Sequence, residues 1–152
     1  MGRTLGMDLG EAQIGLAISD DLKKLAQGLP TVKGKERKIL LQILRKLIDQ
    51  MEVDEIVVGL PINMNGTLGI QAEKALGFVE QLKREFGLPV KTWDERLTTI
   101  AAKRSLIESG ARRSNRGREA IDRVSAILIL QAYLDSLSFQ GGPKLESEVM
   151  ND

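Results

Sequence analysis

The chain has 152 residues, with 22 lysines and arginines against 21 acidic residues, and it contains neither cysteine nor histidine. This length suits one domain with a hydrophobic core, and the composition excludes disulfides, Cys/His zinc sites and histidine-dependent catalytic triads. Any catalysis must use carboxylates, hydroxyls, lysine or arginine, and carboxylates favour Mg²⁺ or Mn²⁺. Because no signal-peptide pattern or membrane-length apolar run is present, we expect a cytoplasmic protein.

The first twenty residues predict a β-hairpin that carries a carboxylate at a strand end. One apolar run, 5–9, contains Asp8, and a second run, 14–19, follows a short polar crossing flanked by Gly10 and Gly15. Burying an unpaired carboxylate is costly, so Asp8 is expected at a strand end, in an ion pair or on a cation. The alternative interpretation is an ordinary aspartate of a turn.

The rest of the chain predicts a third strand followed by helices and strands in alternation. The strands are expected at 29–32, 54–60 and 89–93, and the helices at 35–51, 68–86, 100–109 and 119–137. This order predicts an α/β domain over residues 1–139, with a mixed sheet of a three-strand meander plus parallel strands, flanked by helices. Residues 140–152 are expected to form a disordered tail.

Four acidic residues are predicted to converge at one end of this sheet. Asp8 belongs to the first strand, Asp94 and Glu95 follow the last strand, and Asp122 falls in the first turn of the last helix. Like charges so close disfavour one another unless a cation neutralises them, and a divalent metal is the simplest resolution. Two metals about 3.5–4 Å apart drive in-line displacement at phosphorus. The alternatives are a solvated strand-end pair and an aspartate that complements the helix dipole.

Two segments are candidates for contacts to a nucleic-acid substrate. The loop after the strand at 54–60 lies where ligands bind in open α/β sheets. The segment 110–118 contains four arginines and no acid, and we predict a basic loop suited to phosphate contacts. A simple connector and a solvated linker are the alternatives. The candidate residues in these segments are Asn63, Asn65, Thr67, Arg112, Arg113 and Arg116, and Arg96 and Thr98, which follow the strand at 89–93, are further candidates.

Four blocks of the sequence together resemble the YqgF/RuvX family of ribonuclease H-like proteins. They are DLGEAQIGLA (8–17), VGLPINMNGT (58–67), DERLTT (94–99) and DRVSAILILQ (122–131). The resemblance implies an RNase H-like fold and a metal-dependent nuclease whose metal ligands are Asp8, Glu95 (or Asp94) and Asp122. This sequence departs from the family pattern at Gln13, where arginine is common, and at Arg123, where a small residue is usual.

The resemblance implies processing of the 5′ end of the 16S rRNA precursor, with cleavage of Holliday junctions as the alternative. A non-catalytic RNA-binding assembly factor is a further alternative. An Asp-Leu-Gly hairpin also resembles the phosphate-binding hairpin of actin-like and sugar kinases, but those folds need two such domains. No long exposed apolar face marks a dimer interface, so the sequence favours a monomer, with a dimer that cuts a DNA junction symmetrically as the alternative. The residues do not distinguish RNA from DNA, and the choice of RNA rests mainly on the rRNA processing that the resemblance implies.

Overall fold

The computed structural model describes residues 2–10, 13–33, 36–98 and 115–141, with side chains at 2–10, 13–33, 36–98 and 123–138. In chain order the elements are β1 (Arg3–Leu9), β2 (Ile14–Ser19), β3 (Ala26–Val32), α1 (Arg37–Gln50), β4 (Val53–Leu60), α2 (Ile70–Phe86), β5 (Val90–Asp94), a 3₁₀ turn (Glu95–Leu97) and α3 (Asn115–Gly141). No helix in this described part of the chain is long and apolar enough to cross a membrane.

The five strands form one mixed sheet in the order β3-β2-β1-β4-β5. Strands β1, β2 and β3 are antiparallel neighbours, whereas β4 is parallel to β1 and β5 is parallel to β4. The predicted meander and the predicted parallel strands are therefore confirmed. The first strand lies at the centre of the sheet, beside the strand that follows the first helix, as the predicted convergence of the acidic residues requires.

Helices cover both faces of the sheet, so its central strands are buried on both sides. On one face Leu5 and Met7 pack in a core with α1 and α2. On the other face Val57 packs in a second core with residues of α3, namely Ala126, Ile129, Leu130, Tyr133 and Leu134. Burial on both faces explains why β1, β2 and β4 read as nearly continuous apolar runs, since alternate residues serve different cores.

Helix α3 runs in the opposite direction to β1 and lies very close to it. A Cβ built on Gly6 would lie 2.8 Å from Leu130 Cβ and 3.5 Å from Ala126 O, so only glycine allows this approach without a shift. Further along the helix, the Tyr133 hydroxyl donates to Glu55 near the start of β4. Earlier residues of α3 therefore lie towards the carboxyl end of β1.

The structure corrects the prediction for the last helix and for the basic segment before it. Helix α3 begins at Asn115 and ends at Gly141, whereas the sequence pattern predicts 119–137. Residues 115–118 are therefore helical and not part of a loop, because arginine is a good helix former and one glycine costs only about 1 kcal/mol.

This earlier start also changes the position of Asp122. It lies beyond the first turn of α3, so the interpretation that it complements the helix dipole is wrong, because that effect is confined to the first turn. The helix predicted at 100–109 and the rest of the basic segment, 110–114, lie outside the described residues, as do residues 142–152 of the predicted tail.

Candidate active site

The centre of the candidate site is Asp8, which is fully buried near the carboxyl end of β1. It shares a sheet face with Gly6, and that face is the one covered by α3. On one side its partner in β2 is Gly15. On the other side the β1–β4 register, which pairs Met7 with Val58, continues to place Gly59 beside it. Neither of these two neighbours places a side chain of its own beside the carboxylate.

A second carboxylate enters the space above Gly59. Glu95 begins the 3₁₀ turn directly after β5 and is only 4% exposed. A Cβ built on Gly59 would lie 2.7 Å from Glu95 Oε2, so the carboxylate occupies the volume that a side chain at this position would fill. The absence of a side chain at Gly59 thus allows the Glu95 carboxylate to lie on the same face and at the same end of the sheet as Asp8.

The neighbouring acid, Asp94, faces a different environment. It pairs with Leu60, which packs against α2 on the opposite face of the sheet. Its carboxylate accepts hydrogen bonds from the Arg96 backbone N–H at 2.9 Å and from the Arg96 guanidinium at 2.8–3.1 Å. The side-chain hydrogen bonds from Arg96 hold the pKa of Asp94 below its ordinary value. The alternation of a β-strand therefore separates the two acids: Glu95 lies on the same sheet face as Asp8, and Asp94 braces a turn.

The third predicted ligand, Asp122, lies in α3 one helical turn before Ala126, the residue whose carbonyl approaches Gly6. Because α3 runs opposite to β1, the helix backbone at this position lies towards the end of the strand that carries Asp8. Its side chain is outside the described set. Among the side chains that are described, no three acidic residues form a group that could hold a metal ion.

The donor chemistry of Asp8 and Glu95 nevertheless fits a hard divalent cation. Both supply carboxylate oxygens, which Mg²⁺ and Mn²⁺ prefer. Both are buried, where two like charges repel each other strongly unless a cation offsets them. The absence of a side chain at Gly59 leaves the volume that the Glu95 carboxylate occupies on the Asp8 face of the sheet.

Thr98 closes the turn that holds Glu95. Its backbone N–H donates to the Glu95 carbonyl at 3.2 Å and its hydroxyl donates to the same oxygen at 3.1 Å. The sequence predicts a substrate contact for Thr98, and the structure places it as part of the support for a candidate ligand.

The predicted substrate loop lies beside this turn and is held together by its own side chains. Asn65 Oδ1 accepts from the Thr67 N–H at 3.1 Å and from the Thr67 hydroxyl at 2.7 Å, and Asn63 Nδ2 donates to that hydroxyl at 3.0 Å. The Arg96 guanidinium reaches the Asn63 carbonyl at 3.5 Å. These four predicted residues therefore meet on one surface, although many of their polar atoms bind one another.

The described side chains include none of the three arginines predicted to bind phosphate. Arg112 and Arg113 lie outside the described residues, and Arg116 lies in α3 with its side chain outside them. The residue that the sequence analysis missed is Gly59, which lies inside the strand predicted at 54–60. A glycine inside a strand is a recognised sign of close approach by another group, and this signal was available.

Comparison with known proteins decides the family. The sequence profile of RuvX, described as Holliday junction resolvase, matches residues 2–136. The chain belongs to the RuvX family. A relative from Clostridium botulinum (strain Hall), named "Putative pre-16S rRNA nuclease", is 50% identical over 136 residues, covering 90% of this chain and 98% of the relative.

Two further RuvX relatives carry the same name. One from Clostridium acetobutylicum is 47% identical over 135 residues, covering 89% of this chain and 99% of the relative. One from Thermoanaerobacter pseudethanolicus is 48% identical over 134 residues, covering 88% and 96% respectively. The resemblance found in the four sequence blocks is therefore confirmed.

Solved structures confirm the predicted fold class. Thermus thermophilus RuvC in complex with a Holliday junction superposes with a TM-score of 0.57 at 16% identity, covering 90% of this chain and 95% of that chain. The fowlpox virus Holliday junction resolvase gives a TM-score of 0.52 at 12% identity, covering 89% and 99% respectively. At such low identity these similarities bear on the fold alone, and the fold is that of the RNase H-like resolvases.

We predict that Asp94→Asn lowers the free energy of unfolding at neutral pH by about 1 kcal/mol or less, the usual value for a partly exposed ion pair. Because the pKa of Asp94 is lowered by folding, this difference is present above the unfolded carboxyl pKa of about 3.9 and disappears as the pH falls through the folded value. Urea denaturation as a function of pH measures it. Asp49→Asn, at an exposed position of α1, is the control. A difference that persists in strong acid would contradict the assignment.

Proposed function

We propose that this chain is a metal-dependent nuclease that hydrolyses phosphodiester bonds in RNA, acting in 5′-end processing of the 16S rRNA precursor. The observation that carries the proposal is the burial of Asp8 and Glu95 on one sheet face, beside a glycine that makes room for the second carboxylate. Membership of the RuvX family and relatives named as pre-16S rRNA nucleases support the choice of reaction and substrate.

In this proposal Asp8 and Glu95, with Asp122 of α3, would hold a pair of Mg²⁺ or Mn²⁺ ions, which supply a water nucleophile at neutral pH and stabilise the leaving oxygen. The chain has no histidine, so ionised carboxylates carry the chemistry instead of an imidazole base. Asp8 is fixed by the central strand, and Glu95 is fixed by the turn that Thr98 closes. Rigid support of this kind holds the two carboxylates in a fixed position relative to each other.

The substrate side of the site is proposed to be the surface formed by the loop 63–67 and the turn at 95–98. Arg96 links these two segments through hydrogen bonds to the Asp94 carboxylate and to the Asn63 carbonyl. Arg112, Arg113 and Arg116 are proposed to contact phosphate, because bidentate contacts from arginine suit phosphate oxygens and position a strand without reading its sequence.

Resolution of Holliday junctions is the second candidate, because the RuvX family carries that description. A resolvase must cut two strands symmetrically, which requires two sites related by a two-fold axis. The two functions therefore differ in substrate and in the oligomeric state that they need.

Asp8→Asn is expected to reduce RNA cleavage by more than about a hundredfold. Mutation of residues that only orient the ligands of a metal already lowers metal affinity or activity by about 10–100-fold, and Asp8 is proposed to be a ligand itself. The measurement is hydrolysis of a labelled single-stranded RNA with the precursor sequence in Mn²⁺ and in EDTA. Asp49→Asn makes the same chemical change at an exposed position and serves as the matched control.

A four-way DNA junction in the same assay separates the candidates. Cleavage of RNA that requires metal and Asp8 supports the proposed nuclease, whereas symmetric cleavage of the junction alone favours the resolvase. Binding of RNA without cleavage under any metal would contradict both, and would favour a non-catalytic assembly factor.

Gly59→Ala is expected to displace Glu95, because the added methyl group would meet Glu95 Oε2 and also Ile129 Cδ1. Ile129→Val removes the Cδ1 contact and leaves only the longer contact to Cγ1 at 3.2 Å, so the double variant Gly59→Ala/Ile129→Val tests mainly the contact with Glu95. We expect cleavage to fall by roughly a hundredfold, the cost of misplacing a catalytic group by about 1 Å.

Ile129→Val alone is the control, since this change costs only about 0.5–1.5 kcal/mol of stability. If the double variant cleaves RNA at the rate of the single variant, Gly59 does not position Glu95. Circular dichroism and thermal unfolding establish that both variants are folded.

A further inference from the structure

A cavity of about 430 Å³ lies on the face of the sheet opposite the carboxylates and at the same end of β1. Leu9, the residue directly after Asp8, lines this cavity, so the two features lie back to back across the sheet. Its size falls in the range of about 300–1,000 Å³ that pockets for small organic groups occupy. Nothing in the proposed hydrolysis uses it.

The inner part of the cavity is apolar. Leu9 of β1, Ile14 of β2, Leu40 of α1 and Phe78 of α2 line it, and the last three are at most 9% exposed. These side chains belong to the core between the sheet and the two helices, so the walls are fixed by packing. A flat apolar group could be sheltered from water here, whereas a bare phosphate would gain nothing from such walls.

The mouth of the cavity is polar, and its charged residues are two cations, Arg37 and Lys74, and one acid, Glu36. Gln71 and Lys74 of α2 line it at helical spacing with Phe78, so all three share one side of the helix. Within the part of the chain that the structure describes, the Gln71 amide and the Lys74 ammonium form neither a hydrogen bond nor an ion pair, so both are available to a ligand.

Arg37, at the start of α1, adds a fixed planar cation. Its guanidinium lies 4.5 Å from the centre of the Phe78 ring and donates to Gln81 Oε1 at 2.8 Å. Placed in this way, it supplies a planar cation at the edge of the cavity, of the type on which nucleobases stack.

We propose that this cavity holds one unstacked base of a single-stranded RNA bound across the carboxyl end of the sheet. A base offers apolar faces for the inner walls and a hydrogen-bonding edge for the Gln71 amide, and its flanking phosphate suits Lys74. Because Asp8 and Leu9 are consecutive, one strand that passes over the end of β1 reaches the carboxylates and the cavity. The inference rests on the proposed function, since it assigns a second contact to the same substrate.

The test is an abasic scan of a short single-stranded RNA, with affinity measured by fluorescence anisotropy in EDTA so that cleavage plays no part. In the wild-type protein we expect one position at which loss of the base weakens binding about tenfold, as removal of a stacked base does. In Gln71→Leu, which keeps the volume and removes the amide, that loss should shrink to less than about threefold, as coupled contacts do.

Two further variants fix the interpretation. Gln42→Leu makes the same change at an exposed position of α1 outside the cavity, and its scan should match that of the wild type. Lys74→Ala should weaken binding of every RNA in the scan alike and lower the salt dependence by about one counterion.

A scan without any position-dependent loss, or an equal effect of Gln42→Leu and Gln71→Leu, would overturn the base pocket. The same scan separates this inference from the proposed function. A position-specific loss of affinity that depends on Gln71 supports the base pocket even if no metal supports cleavage. Cleavage of RNA by a protein whose affinity is the same for every abasic position supports the proposed nuclease and contradicts the base pocket.

Discussion

The close packing of α3 on the central strands is the constraint on which the candidate site depends. Gly6 lets the helix backbone approach β1, and on β4 the contact of Ile129 with Gly59 continues the same seam. With the helix at this distance, any side chain at Gly59 would fill the space that Glu95 uses. The candidate site therefore depends on two strand positions without a side chain, Gly6 and Gly59. A change in how α3 packs at these positions would alter both the stability of the fold and the position of the Glu95 carboxylate.

This arrangement also explains how one end of one sheet would serve both the proposed hydrolysis and the proposed binding of a base. Consecutive residues of a strand point to opposite faces, so Asp8 enters the polar space beneath α3 while Leu9 enters the apolar space beneath α1 and α2. Hydrolysis of a phosphodiester needs fixed anionic ligands, and recognition of a base needs a dry slot with a polar rim. The central strand supplies a boundary between them.

Much of the fold could be predicted from the sequence, because apolar periodicity and turn residues determine β1–β5, α1 and α2 to within a few residues. The start of α3 could not, since arginines and a glycine at 115–118 read as a basic loop until the helix that they precede is seen to extend through them. Which of Asp94 and Glu95 lies on the Asp8 face could not be predicted, because it depends on which residue continues the strand alternation into the turn. The cavity escaped notice because its walls come from four elements that are distant in sequence, and no local pattern marks such a site.

The central claim is that Asp8 and Glu95 form a cation site and that Asp94 does not belong to it. Isothermal titration of Mn²⁺ into the wild type, Glu95→Gln and Asp94→Asn tests this without reference to any substrate. We expect Glu95→Gln to weaken Mn²⁺ binding by at least about tenfold, as loss of a group around a metal does, and Asp94→Asn to bind as the wild type does. Wild-type protein that binds no Mn²⁺, or binding that is lost in Asp94→Asn and kept in Glu95→Gln, would contradict the account.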